Sequence, residues 1–70
     1  MSHKIQVSVN NESSSFDEGC TVDQLLHLAG FVSDEVAVAI NMEFVPRSQF
    51  AQTVVQANDE IDVLTAVQGG

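Results

Sequence analysis

Few residues in this chain could do chemistry, and the first candidate is its end. The sequence closes Val67-Gln68-Gly69-Gly70. Two residues without side chains predict a flexible tail, about 67–70, that carries an unhindered α-carboxylate into solvent. Such a tail fits a narrow tunnel that a branched residue would block. A carboxylate with a pKa of about 3.5 is ionised and unreactive at neutral pH, so chemistry at Gly70 first requires its activation.

The other candidates lack partners. Cys20 sits just ahead of a helix start with no acid or base implied beside it, which reads as a small packed side chain rather than a nucleophile. His3 and His27 are isolated, and a metal site needs several converging ligands. His27 falls off the apolar stripe of its helix and reads as a solvated residue. Asp34-Glu35 and Asp59-Glu60 are paired carboxylates, but acid-base work needs a cleft that raises one pKa, and both pairs sit in turn-like segments. They read as a solvated acidic face. Gly19 and Gly30 are isolated, so no glycine-rich phosphate loop is present. Independent catalysis is not expected, nor is a cofactor bound by the chain itself.

Composition sets the partners. Ten Asp and Glu against Lys4 and Arg47 give a formal charge of -8, which repels nucleic acid and anionic membrane and favours basic protein surfaces. Seventy residues, 44% of them hydrophobic, make a single domain over 1–70 that buries about 60% of its unfolded surface. One cysteine closes no intrachain disulfide, and no apolar run approaches the length of a signal peptide or a membrane span. The expected location is the cytoplasm.

These residues must be positioned by a small α+β unit. Ile5, Val7 and Val9 alternate with Gln6 and Ser8, the period of a strand with one face on a core. Asn10-Asn11 tolerates left-handed backbone, so Glu12 to Phe16 is expected to return as a polar second strand. Thr21 and Gln24 have capping-box spacing. Val22, Leu25, Leu26 and Ala29 follow as a helical stripe widened by Leu28, with Gly30 as the stop. Val36 to Ile40 is a third strand, either covered on both faces or left with a sticky outer face. Asn41-Met42 turns into a short Phe44-Val45 strand ended by Pro46, and Arg47 to Thr53 reads as a loop or single helical turn. After an Asn58-Asp59 turn, Ile61, Val63 and Val67 share one face of a last strand while Asp62, Leu64 and Ala66 share the other. The element order permits the first and last strands to run parallel across the helix. The expected architecture is a mixed sheet of four to five strands with one covering helix.

Four segments carry a family resemblance: Val38-Ala39-Ile40-Asn41, Val45-Pro46-Arg47, Asn58-Asp59-Glu60-Ile61 and the closing Gly69-Gly70. Together they resemble the ThiS family, the sulfur carriers of bacterial thiamine biosynthesis, over the whole chain. The resemblance implies a ubiquitin-like β-grasp fold. It also implies that a ThiF-like adenylating enzyme activates the carboxylate of Gly70 with ATP, that a sulfur donor system converts it to a thiocarboxylate, and that thiazole synthase takes the sulfur. Gly69 would be the flexible link. Leu64 and Ala66 are expected to join Gly69 as partner contacts, lying on the uncovered sheet face beside Ala37 or Ala39. The competing readings are a carrier like the small subunit of molybdopterin synthase, a ubiquitin-like modifier, and a plain β-grasp binding module.

Overall fold

The structure, a computed structural model, describes residues 3–65. Strand β1 (Lys4–Val9) turns at Asn10-Asn11 into β2 (Glu12–Asp17), and the helix α1 (Val22–Ala29) follows. A 3₁₀ turn over Ser33–Glu35 leads into β3 (Val36–Ile40), and Asn41-Met42 joins β3 to β4 (Glu43–Val45). A second 3₁₀ turn covers Arg47–Gln49, and β5 (Glu60–Thr65) completes the described chain. The five strands form one sheet in the order β2-β1-β5-β3-β4. The first and last strands lie side by side and parallel, with Val9 opposite Ile61, and every other pairing is antiparallel. The expected mixed sheet with a single α-helix is present.

Local chemistry explains each reversal. Asn10 and Asn11 have φ of 51° and 70°, and Asn41 and Met42 have 51° and 71°. Two consecutive left-handed residues make the tight hairpin whose twist matches the strands it joins. Asparagine adopts this backbone readily. Met42 has no such tolerance and is held there by its turn.

The helix is capped at both ends as the spacing predicts. The Gln24 amide donates to Thr21 Oγ1 at 3.2 Å while the Thr21 amide donates to Gln24 Oε1 at 3.0 Å. Gly30 takes φ 88°, the Gly30 amide reaches the His27 carbonyl at 3.2 Å, and Phe31 N–H reaches Leu26 at 2.9 Å. These two bonds form a Schellman stop.

The buried stripe is narrower than the periodicity suggests. Val22, Leu25 and Leu26 are fully buried, but Leu28 is 66% exposed and Ala29 is exposed as well. Beyond Leu26 the side chains of the last turn are exposed, and Gly30 ends the helix. The segment after the second 3₁₀ turn supplies core residues that no periodicity marks, Phe50 and Val55. It also holds the helix start: Val22 N–H donates to the Thr53 carbonyl at 2.9 Å and Asp23 N–H to Phe50 at 3.1 Å. With Gln24 capped by Thr21, the first amides of the helix are satisfied within the chain.

Core and surface separate cleanly across the sheet. Val7, Val9, Val36, Val38, Ile61 and Val63 point to the helix side and are buried, each such side chain contributing roughly 1.5–3 kcal/mol. Ala37 is exposed and Ala39 half-buried, so the apolar run of β3 reflects an uncovered outer face rather than cover on both sides.

Candidate functional site

The outer sheet face is organised around β5. Ile61 and Val63 face the core, which places Asp62 and Leu64 outward, as strand alternation requires. Leu64 lies directly opposite Ala37, Asp62 opposite Ala39, and Ala39 opposite Phe44. Residues opposite one another share a face. Leu64 at 69% exposure and Phe44 at 70% therefore stand on one face, with Ala37 and Ala39 in the row between them, and Met42 exposed at the adjoining turn. The expectation that Leu64 stands outward beside Ala37 holds. Phe44 and Met42 are additions that the sequence reading missed; the pairing of β4 with β3, which sequence alone does not fix, brings them to this patch.

Ala66, Gly69 and Gly70, with the tail expected over 67–70, lie outside the described residues. They follow Thr65, the last residue of β5, directly in the sequence.

The remaining candidates are accounted for by packing and turns. Cys20 is buried, and its thiol donates to the Thr21 carbonyl at 3.4 Å. Burial, and then the negative charge of Asp17, push its pKa up, the reverse of what activates a nucleophilic thiol. It lines a groove of about 840 Å³ beside α1, whose walls include Asp17, Asp23, His27, Leu28 and Phe31. His27 is exposed, as its position off the stripe implies. Asp59 is a turn residue: Oδ2 accepts from the Gln56 amide at 2.8 Å and Oδ1 from Asn41 Nδ2 at 3.1 Å. Asp34 is exposed in the first 3₁₀ turn, and Arg47 ties that turn to the second by donating to the Ser33 and Asp34 carbonyls at 3.1 and 2.9 Å. Among the described residues no group of three or more His, Cys, Asp or Glu is placed to hold a metal ion. No helix there is long and apolar enough to cross a membrane.

The described residues thus present an uncovered apolar half-sheet around β5, β3 and β4. The model of the ThiS family matches residues 3–70. The chain belongs to the ThiS family. It is 35% identical over 66 residues to the sulfur carrier protein ThiS of Escherichia coli, which covers 94% of this chain and 100% of that protein. It is also 35% identical over 66 residues to a thiazole synthase of Paramagnetospirillum magneticum, of which it spans 20%. The crystal structure of the thiamine biosynthesis protein ThiS from Geobacter metallireducens superposes with a TM-score of 0.80 at 29% identity, covering 94% of this chain and all of the other. The fold is accordingly the ubiquitin-like β-grasp, and the chain is a ThiS-family sulfur carrier of thiamine biosynthesis.

Proposed function

We propose that the chain carries sulfur on the carboxylate of Gly70. A partner adenylating enzyme joins this carboxylate to AMP from ATP, releasing pyrophosphate. A sulfur donor then displaces AMP to leave a thiocarboxylate, and thiazole synthase takes the sulfur. The carrier contributes a docking surface and a reach; its partners supply the nucleotide site and the reaction geometry. Gly69 links the reactive group to the body, and Leu64, Ala37 and Phe44 form the face that docks, with Ala66 next in line.

The observation that carries this reading is the match along the full length of the E. coli carrier. The thiazole synthases of Paramagnetospirillum magneticum and Magnetococcus marinus, each matched over a fifth of its length, favour thiazole synthase as acceptor over the molybdopterin branch.

The test is the intact mass after incubation with ATP, a cognate adenylating enzyme and a sulfur source. One oxygen replaced by sulfur is expected. Deleting Gly70, or extending the chain by one residue, moves the carbonyl by about 3.8 Å and should nearly abolish ATP-pyrophosphate exchange, since misplacement of about 1 Å can cost a hundredfold. Near-normal exchange by the deletion defeats the reading. Gly69→Ala keeps the carboxylate but restricts φ, and is expected to slow turnover without loss of stability.

A further inference from the structure

Strand β5 runs on past the point where its parallel neighbour ends. β1 pairs with β5 only as far as Val9 opposite Ile61, and the hairpin then turns away at Asn10. From that point β5 keeps β3 on its other flank, out to Thr65 opposite Val36. The flank that β1 has left is taken over by one residue. The Asn10 backbone N–H donates to the Ile61 carbonyl at 2.9 Å. Its side-chain amide then does what the next backbone unit of β1 would have done: Oδ1 accepts from the Val63 N–H at 2.7 Å and Nδ2 donates to the Val63 carbonyl at 3.2 Å. A carboxamide has the donor and acceptor of a peptide group side by side, so it substitutes for one.

The other hairpin provides a matched case at the opposite end of β5. Asn41 has the same φ of 51°. Its N–H donates to the Glu60 carbonyl at 2.7 Å, and its Oδ1 accepts from the Glu60 N–H at 3.0 Å. Two turn asparagines thus hold the strand, Asn41 where it begins and Asn10 where it approaches the segment bearing the reactive glycine.

We infer that Asn10 is a positioning residue for the carrier reaction: its side-chain amide locks Val63 in place of the missing β1 residue and so fixes the point from which residues 66–70 reach the partner's active site. This rests on the carrier reading above. Only six residues separate Val63 from Gly70, and a reacting carbon tolerates little displacement. The plain alternative is that Asn10 is present only because asparagine accepts left-handed backbone.

Asn10→Gly separates the two. Glycine adopts the same φ without strain and keeps the backbone N–H, but it has no amide to hold Val63. Asn41→Gly is the control, a matched loss at the far end of the strand. Amide hydrogen exchange on the free carrier and ATP-pyrophosphate exchange with the adenylating enzyme are measured for both variants. For Asn10→Gly we expect faster exchange at Val63, a kcat lower by about tenfold, and a KM within about twofold of wild type because the docking face is untouched. For Asn41→Gly we expect kcat within about twofold of wild type. Asn10→Asp, which keeps an acceptor for the Val63 N–H but no donor for its carbonyl, should recover only part of the protection at Val63. The inference is overturned by wild-type Val63 protection in Asn10→Gly, by wild-type kcat despite a loosened Val63, or by equal losses of kcat in the two glycine variants. Failure of the unmodified chain to support exchange would overturn the carrier reading and the inference together.

Discussion

The two halves of the outer sheet face treat their side chains in opposite ways. On the β1–β2 half, Gln6 donates to Ser15 Oγ at 2.9 Å and accepts from Ser13 Oγ at 2.8 Å, and Lys4 pairs with Asp17 at 2.8 Å. That half satisfies its own polar groups and is at ease in water. The half built from β5, β3 and β4 presents Leu64, Ala37 and Phe44 with no side chain of the described residues over them. Scattered apolar residues are ordinary on a surface, whereas a contiguous row points to a partner. A single sheet thus combines a half that satisfies its own polar groups with a half that leaves an apolar row uncovered.

The largest effect should come from the strand that carries both faces. Ile61 is 1% exposed, so Ile61→Ala leaves a cavity and is expected to cost about 2–5 kcal/mol. Urea unfolding would measure it. Leu64→Ala, three residues on but facing outward, should change stability by less than about 0.5 kcal/mol. Equal losses from the two would mean that Leu64 is held in a folded contact and that the apolar half is not free to dock.

Binding should show the reverse order. Leu64→Asp puts a charge at the β5 end of the apolar row, next to Asp62, and should weaken binding of the adenylating enzyme by about thirtyfold, the scale of one interface anchor at about 2 kcal/mol. Gln6→Ala on the polar half should leave affinity within about twofold. Isothermal titration of both variants decides between the halves; a larger loss from Gln6→Ala would reverse the assignment.

Much of this arrangement is legible in the sequence because short-range chemistry writes it. The Thr21 and Gln24 capping pair, the Gly30 stop, the Asn10-Asn11 turn and the alternation of β5 each depend on residues a few positions apart. What escapes is long-range. The outward placement of Leu28 depends on how the helix is seated on the sheet, and the burial of Phe50 and Val55 goes with carbonyls at 50 and 53 meeting the helix start. At the site, strand alternation places Leu64, but Phe44 joins it only through the pairing of β4 with β3. The clasp on Val63 joins residues 53 positions apart, and no local pattern announces it.

A third, weaker effect tests whether the groove beside α1 competes with the apolar half as the reactive region. The Cys20 pKa is raised, chiefly by burial. The folded state therefore holds the thiol proton more tightly than the unfolded chain, whose cysteine titrates at about 8.5. Its contribution to stability is fully present below that value and is lost as pH rises through the folded pKa. Chemical unfolding should give a flat profile from neutrality to about pH 8 and a decline above it, removed by Cys20→Ala. Alkylation at neutral pH should be slower than for free cysteine. Fast alkylation would mark an activated thiol and make the groove a second reactive face.

The smallest effect belongs to the ion pair on the polar half. Lys4 Nζ and Asp17 Oδ1 approach to 2.8 Å, yet the two side chains remain 62% and 58% exposed. In water the attraction between such groups is screened, and ordering two mobile side chains offsets most of the remainder. Lys4→Ala is expected to change stability by less than about 0.5 kcal/mol, with the difference shrinking further in high salt. The pair joins the edge strand β2 to β1, opposite each other in the register, so its loss should appear mainly as faster exchange of amides near Asp17. Thermal unfolding at low and high salt measures the first point and amide exchange the second. A loss of several kcal/mol would mean that the polar half depends on Lys4 as strongly as the core side depends on Ile61, and the contrast between a self-contained half and an uncovered half would have to be redrawn.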